Sequence, residues 1–169
     1  DVVSGAGLFV STFPQPVADW AVGATYVTGN TVHASGRLYE SLVDANTGNA
    51  PAANPSKWLD VGPSNLFACL DQMVSTPSTA PASAQVFAIK LPSSVSACAL
   101  VAVTGARAYV AVNSGAGSIS SQSTTHLASV NGATTTALTG FEPGQYVSVW
   151  IAGDTSVSIG EFIAGTFHQ

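Results

Sequence analysis

The stretch from Asp19 to Asn65 decides the fold of this chain, and from residue 20 it reads WAVGATYVTGNTVHASGRLYESLVDANTGNAPAANPSKWLDVGPSN. Large apolar residues alternate with glycines along it: Trp20, Tyr26, Val32, Tyr39, Leu42 and Trp58 against Gly23, Gly29, Gly36 and Gly48. Because glycine adopts positive φ at little steric cost, this spacing predicts short strands joined by tight turns. It does not favour a helix.

Three strands are predicted inside this stretch, at 31–34, 37–43 and 57–61. The first two are separated by two residues, one of them a glycine, which is typical of a β-hairpin. A long irregular loop over 46–55 precedes the third strand. A unit this small hides only a handful of side chains, so its four large aromatic residues are predicted to form its core. They are Trp20, Tyr26, Tyr39 and Trp58.

The C-terminal part of the chain carries clear β-strand signals. In QYVSVW, residues 145–150, apolar valines alternate with their neighbours at the period of two that a pleated strand requires. Strands are predicted at 85–91, 97–103, 106–112, 145–152 and 156–164. Segments of this length between turns predict a β-sandwich of jelly-roll type. Two glycine-rich tracts, 113–123 and 131–133, are predicted to be loops at one end of the sandwich.

These patterns predict an all-β protein in three parts. Residues 1–18 form an extended N-terminal arm, because Pro14 and Pro16 would break a helix and favour extended backbone. Residues 19–62 form the small three-stranded β unit with its aromatic core. Residues 63–169 form the jelly-roll-like antiparallel β-sandwich, beginning at the turn 63–65.

Charge and hydropathy restrict the classes of partner. Only 8% of residues are charged, against roughly 25% in an average soluble domain, and 46% are hydrophobic. The net charge is −5 and the four cations do not cluster, which argues against nucleic acid as a partner. No apolar run is long enough to predict membrane insertion. A surface so poor in charge suits a secreted β-protein or a subunit covered by other subunits.

The chemistry-bearing residues form no recognisable catalytic or metal-binding motif. His33, His126 and His168 are far apart in sequence, and neither cysteine belongs to a CxxC pair. Cys69 and Cys98 lie in apolar sequence and are predicted to be buried free thiols, with one disulfide as the alternative. The carboxylates are dispersed, and no GxSxG motif occurs. We therefore expect no enzyme activity, no cofactor and no metal; a glycosidase pair assembled in space is the remaining enzymatic alternative.

The order of residues from Trp20 to Trp58 resembles that of chitin-type carbohydrate-binding modules, in which a Trp opens, a Gly-x-x-Val step follows and a Trp closes. The matching positions are Trp20, Tyr26, Gly29, Val32, Gly36, Leu38, Tyr39, Pro51 and Trp58. The continuation DVGPSNLFACLDQ, residues 60–72, resembles a segment that follows such modules in structural proteins of tailed-bacteriophage virions. The second resemblance implies a second β-domain after the Gly-Pro-x-Asn turn.

The segment SLVDANTGNAPAANP, residues 41–55, departs from the chitin-binding pattern because it contains no aromatic residue. Chitin-binding members present exposed aromatic rings on which sugar rings stack. Two interpretations follow. The first is that all four aromatic residues serve the fold. The alternative is that Tyr26, Tyr39 and Trp58 form a sugar-binding surface.

The resemblance implies a structural component of a tailed-phage virion, in the tail, the tail tip or baseplate, or another external appendage. Its expected location is the virion, assembled in the host cytoplasm. Its expected partners are other copies of itself and other virion proteins, and its expected role is subunit assembly with host attachment. The alternative is a carbohydrate-binding module that recognises chitin or a polysaccharide of the bacterial surface, with a host-surface glycan as the partner.

Overall fold

The computed structural model shows an all-β protein built from antiparallel sheets. It describes residues 8–10, 12–71, 73, 75–82, 84–90, 97–105, 107–113, 124–127, 132–137, 146–153 and 155–165. Helical structure in this part of the chain is limited to two single 3₁₀ turns, Pro51–Ala53 and Ala68–Leu70. None of the described helical segments has the length and apolarity to span a membrane.

Contacts divide the chain into two compact units. The small unit comprises residues 15–67, and the large unit comprises residues 1–14 and 68–169. These boundaries fall at 14/15 and 67/68, whereas the sequence patterns place them at 18/19 and 62/63. The described residues before residue 15 therefore belong by contact to the large unit, although the small unit separates them from the rest of it in sequence.

The small unit contains a three-stranded and a two-stranded antiparallel sheet. Its strands are β2 (Thr25–Tyr26), β3 (Thr31–Ala34), β4 (Arg37–Ser41), β5 (Asn46–Thr47) and β6 (Trp58–Pro63). The three-stranded sheet has the order β3-β4-β6, and β2 pairs with β5. The pairing of β2 with β5 was not predicted, because two-residue strands leave no periodic pattern.

The hairpin between β3 and β4 turns at Ser35 and Gly36, as the sequence predicts. Both residues have positive φ, 50° and 80°. This backbone twist matches the right-handed twist of the flanking strands, and glycine adopts it without a Cβ penalty. The turn sets the register in which Val32 faces Tyr39.

The large unit contains a five-stranded sheet, a three-stranded sheet and a two-stranded pair. Its strands are β1 (Leu8–Val10), β7 (Ser78–Ala80), β8 (Ala84–Lys90), β9 (Ala97–Val103), β10 (Arg107–Asn113), β11 (Thr124–Leu127), β12 (Gly132–Ala137), β13 (Tyr146–Ala152), β14 (Val157–Ile159) and β15 (Glu161–Gly165). The five-stranded sheet has the order β1-β8-β13-β10-β11, and the three-stranded sheet has the order β12-β9-β15. β14 pairs with β7.

Several successive strands of the large unit cross between the two larger sheets, as in a jelly roll. β8 and β10 lie in the five-stranded sheet, whereas β9, which connects them in sequence, lies in the three-stranded sheet. Alternate residues of β13, namely Val147, Val149 and Ile151, are fully buried. Leu100 of β9 and Phe162 of β15 are buried on the three-stranded sheet. The two sheets therefore each bury one row of apolar side chains, which gives a β-sandwich-like core.

Most predicted strands of the large unit are present, with several differences. β1 and β7 were not predicted as strands. The predicted strand 156–164 is divided at Gly160 into β14 and β15. β11 and β12 were not predicted, and Gly132, which had been placed in a loop, begins β12. The other predicted loop, 113–123, begins within β10, and its residues 114–123 lie outside the described residues.

Candidate functional site

Two aromatic side chains form the core of the small unit. Trp58 is 2% exposed and Tyr39 is 7% exposed, and both cluster with the buried Val32. Alternation along the strands puts these three side chains on one face of the β3-β4-β6 sheet. The large rings are therefore the main source of hydrophobic burial in a unit with few other apolar residues.

Trp20 and Tyr26 complete this cluster from its edge, where both are partly buried. The ring of Tyr26 meets that of Trp58 edge to face, with centroids 5.2 Å apart and an interplanar angle of 68°. The Tyr26 hydroxyl accepts a 2.8 Å hydrogen bond from the backbone N–H of Ala21. Tyr26 thus links the segment after Trp20 to the core.

These positions bear directly on the sugar-binding alternative at Tyr26, Tyr39 and Trp58. Tyr39 and Trp58 present no open ring face because they are buried, and Tyr26 directs its ring against Trp58. Within residues 15–67, all of which are described, every aromatic side chain is buried or partly buried. The row of exposed rings that this alternative requires is therefore absent from this unit, and a sugar site on these three residues is not proposed.

A chain of hydrogen bonds ties the loop after β4 to the core. The buried side-chain amide of Asn46 donates to Oγ of Ser41, at 3.0 Å, and to the backbone oxygen of Lys57, at 3.3 Å. Its own oxygen accepts a 2.9 Å bond from the side chain of Asn49. Nζ of Lys57 donates to Oδ1 of Asn49, at 3.1 Å. These polar groups are satisfied inside the unit, so they hold the loop in place rather than face a ligand.

The second face of the β3-β4-β6 sheet carries aliphatic side chains beside the polar Thr31, His33 and Glu40. Glu40 lies opposite Leu59 in the register of β4 and β6, and Leu38 lies opposite His33 of β3. Leu42 follows the end of β4 with the same parity as Leu38 and Glu40, and its N–H donates to the backbone oxygen of Lys57. Exposed aliphatic side chains on this face and at the neighbouring bulge form a surface that we call the apolar face. Its members are Leu42, Leu59 and Val61, with the partly buried Leu38 beside them.

Exposed apolar side chains are unusual on the face of an antiparallel sheet that contacts water. Such a sheet normally carries polar side chains on its solvent side. Here Leu59 is 50% exposed, and Leu42 and Val61 are similarly open. Contiguous exposed apolar groups mark surfaces that contact another macromolecule more often than scattered ones do.

The free edge of the same sheet, along β6, is less suited to contact. The register shifts between Leu38 and Tyr39, so that Val61 forms a bulge, and the N–H of Gly62 is already bonded to Oδ1 of Asp60 at 3.1 Å. Nε of Arg37 donates a 2.7 Å hydrogen bond to the other carboxylate oxygen of Asp60. Bulges, charges and a closing Pro63 oppose the addition of another strand. The face, and not the edge, is therefore the candidate contact surface.

One histidine borders the apolar face. Nδ1 of His33 lies 2.6 Å from Oδ1 of Asp19, and the backbone of Trp20 donates to the His33 oxygen at 2.8 Å. Nε2 of His33 is buried without a hydrogen-bond partner among the described residues. A carboxylate paired with an imidazole in this way fixes the orientation of the ring. No group of three or more metal-ligating side chains occurs in the described part of the chain.

Both cysteines of the large unit are buried free thiols, as their apolar context predicts. Burial raises the pKa of Cys69 to about 11, against a smaller opposing effect of its hydrogen bond with Ser78. Burial also raises the pKa of Cys98, to about 12. Because the thiolate is the reactive form, neither residue has the environment of a catalytic cysteine.

The chain matches no protein-family model, no curated protein sequence and no solved structure.

The sequence patterns indicated aromatic residues as the candidate binding residues, whereas the structure shows exposed aliphatic side chains at Leu42, Leu59 and Val61. A signal for these residues was present: in LYESLV, residues 38–43, apolar side chains fall on both parities. That pattern indicates that both faces of β4 are apolar, but it does not say which of them is the core.

Proposed function

We propose that this chain is a structural component of a tailed-phage virion, in the tail, tail tip, baseplate or another external appendage. Its function in this proposal is to assemble with other copies and with other virion proteins. The resemblance of residues 20–72 to segments of phage structural proteins is the reason for proposing that the chain belongs to a virion. The apolar face supports the mode of action, which is packing against a neighbouring subunit.

The observation that carries the proposal is the exposure of Leu59 and its aliphatic neighbours on a sheet whose aromatic residues are used for folding. Transfer of apolar surface out of water stabilises association by roughly 25 cal/mol per Å². A three-stranded sheet is small, and stable interfaces bury about 800 Å² per partner. The apolar face is therefore proposed as one of several contacts that together hold a subunit in a particle.

The test is the size of the full chain in solution across a range of concentrations, measured by light scattering after gel filtration. We expect the unmodified chain to form larger species as concentration rises, and Leu59→Lys to reduce them. The matched control is Val27→Lys. Val27 is 50% exposed, like Leu59, but lies in the turn after β2, outside the three-stranded sheet.

Equal self-association of the Leu59→Lys and Val27→Lys variants would contradict the assigned surface. The proposed function would be contradicted if the chain stayed monomeric at every concentration, both alone and in a lysate that contains assembled particles. Circular dichroism of both variants establishes that the fold survives. Retention on a chitin or bacterial-polysaccharide column, unaffected by Leu59→Lys, would instead favour the carbohydrate-binding alternative.

A further inference from the structure

The outer edge of β8 depends on a short strand from the beginning of the chain. β1 pairs antiparallel with β8, with Leu8 opposite Ile89 and Val10 opposite Ala88. On its other side β8 pairs with β13 over most of its length. Ala88 and Ile89 therefore pair with a strand on both sides. Both residues are fully buried.

Loss of β1 would open this edge. Buried backbone N–H and C=O groups require hydrogen-bond partners, and an uncovered strand edge is a template for another strand. The edge beside Ala88 and Ile89 is thus an acceptor site whose ligand is a short extended peptide. The register shifts between Leu8 and Val10, so the native strand, which is three residues long, is irregular.

The segment that contains β1 is separated from the rest of the large unit in sequence by the whole small unit. Contacts assign residues 1–14 to the large unit and residue 15 onward to the small unit. The side-chain amide of Gln15 donates a 3.0 Å bond to Oγ of Ser64, within the small unit. The change of unit therefore falls at Pro14, which is followed closely by Pro16. Proline and the residue before it favour extended backbone, so this junction does not form a compact turn.

We propose that the β8 edge is a strand-acceptor site and that, in the assembled protein, it binds the Leu8–Val10 segment of a second copy. The exchanged strand would make the same backbone pairs that the chain's own strand makes. Exchange of an identical element therefore costs little, and local concentration decides between the two arrangements. The inference rests on the proposed assembly function, which supplies neighbouring copies, and it identifies a second means by which they join.

Disulfide trapping between two chains tests the exchange. Full-length Leu8→Cys and Ile89→Cys chains are unfolded together, refolded at high concentration and oxidised. We expect a covalent mixed dimer on a non-reducing gel. The single chain that carries both substitutions is the positive control, because its internal crosslink shows that the two positions are within bonding distance. The unmodified chain reports any background from Cys69 and Cys98.

The collision control replaces the acceptor cysteine with Ile163→Cys, which is exposed on β15 of the other sheet. Several-fold more Leu8–Ile89 dimer than Leu8–Ile163 dimer supports exchange, and equal yields overturn it. Val10→Cys with Ala88→Cys gives an independent pair if Ile89→Cys fails to fold. Oligomers without a mixed crosslink would overturn exchange and leave the assembly proposal standing. A chain that neither crosslinks nor associates would contradict both.

Discussion

The indole Nε1 of Trp58 donates a 2.9 Å hydrogen bond to the backbone oxygen of Asn49. The Asn49 side chain in turn donates to Asn46, and Asn46 donates to Ser41 at the end of β4. One continuous set of bonds therefore connects the largest core ring to the loop before β6. Because the ring and the loop are joined in this way, the packing of the core and the conformation of the loop are coupled.

Replacement of Trp58 by Phe is expected to lower the stability of the small unit by about 1–3 kcal/mol, through the unpaired carbonyl and the lost ring volume. Trp58→Ala is expected to cost about 3–5 kcal/mol. Native-state hydrogen exchange of the Leu42 amide, which donates to Lys57 at 2.9 Å, measures the opening of this unit alone. Leu59→Ala is the exposed neighbouring control. Unchanged exchange in Trp58→Phe would show that the indole bond contributes nothing to stability.

Two glycines in positive-φ turns allow conformational strain to be separated from a steric clash. Gly29 has φ 86° and Gly36 has φ 80°. A Cβ at Gly29 would meet nothing within 4 Å, whereas a Cβ at Gly36 would lie 3.0 Å from Cδ2 of Phe67. Alanine in the left-handed region costs about 1–2 kcal/mol at either position. Gly36→Ala is therefore expected to destabilise the small unit more than Gly29→Ala does.

The same hydrogen-exchange measurement compares the two glycine variants. Adding Phe67→Leu to Gly36→Ala is expected to recover part of the difference, since it removes the ring atoms nearest the new methyl group. Identical costs for Gly29→Ala and Gly36→Ala would show that Phe67 moves aside freely.

The sequence predicted those elements whose side chains alternate clearly or whose turns need glycine. β3 and β9 have the predicted bounds, and the Ser35-Gly36 hairpin turn is present. β11 and β12 were missed because TTHL and GATTTA are dominated by threonine and contain little apolar alternation. Their position in a sheet depends on pairing with β10 and β9, which is tertiary information.

The candidate site was harder to predict than the fold. The sequence alone does not distinguish aromatic residues that form a core from those that stack on sugar rings. Only their burial identifies Tyr39 and Trp58 as core residues. The role of Asn46 left no signal either. An asparagine in the predicted loop 46–55 is expected to bond its own backbone. In the structure Asn46 lies in β5, is buried, and donates to Ser41 of β4 and to Lys57, the residue before β6.

The buried thiols of the large unit predict a loss of stability at alkaline pH. The pKa values of Cys69 and Cys98 are raised to about 11 and about 12, above the ordinary value of 9.0. Above pH 9 the unfolded chain therefore releases protons that the folded chain retains. The stabilisation is complete below this pH and is lost as pH rises toward the folded-state values, by up to about 1.4 kcal/mol per pH unit for each thiol.

Denaturant unfolding of the unmodified chain between pH 8 and pH 10.5 measures this slope. The free energy of unfolding of Cys98→Ala is expected to fall less steeply with pH, by the contribution of one thiol. This holds whatever the effect of the substitution on stability at neutral pH. Cys69→Ala is expected to behave in the same way, apart from the lost interaction of the thiol with Ser78. The backbone N–H of residue 69 still donates to Oγ of Ser78 in this variant. The comparison of slopes cancels every contribution that the three proteins share. Equal slopes with and without Cys98 would mean that this thiol ionises as readily in the folded sandwich as in the unfolded chain, which its burial opposes.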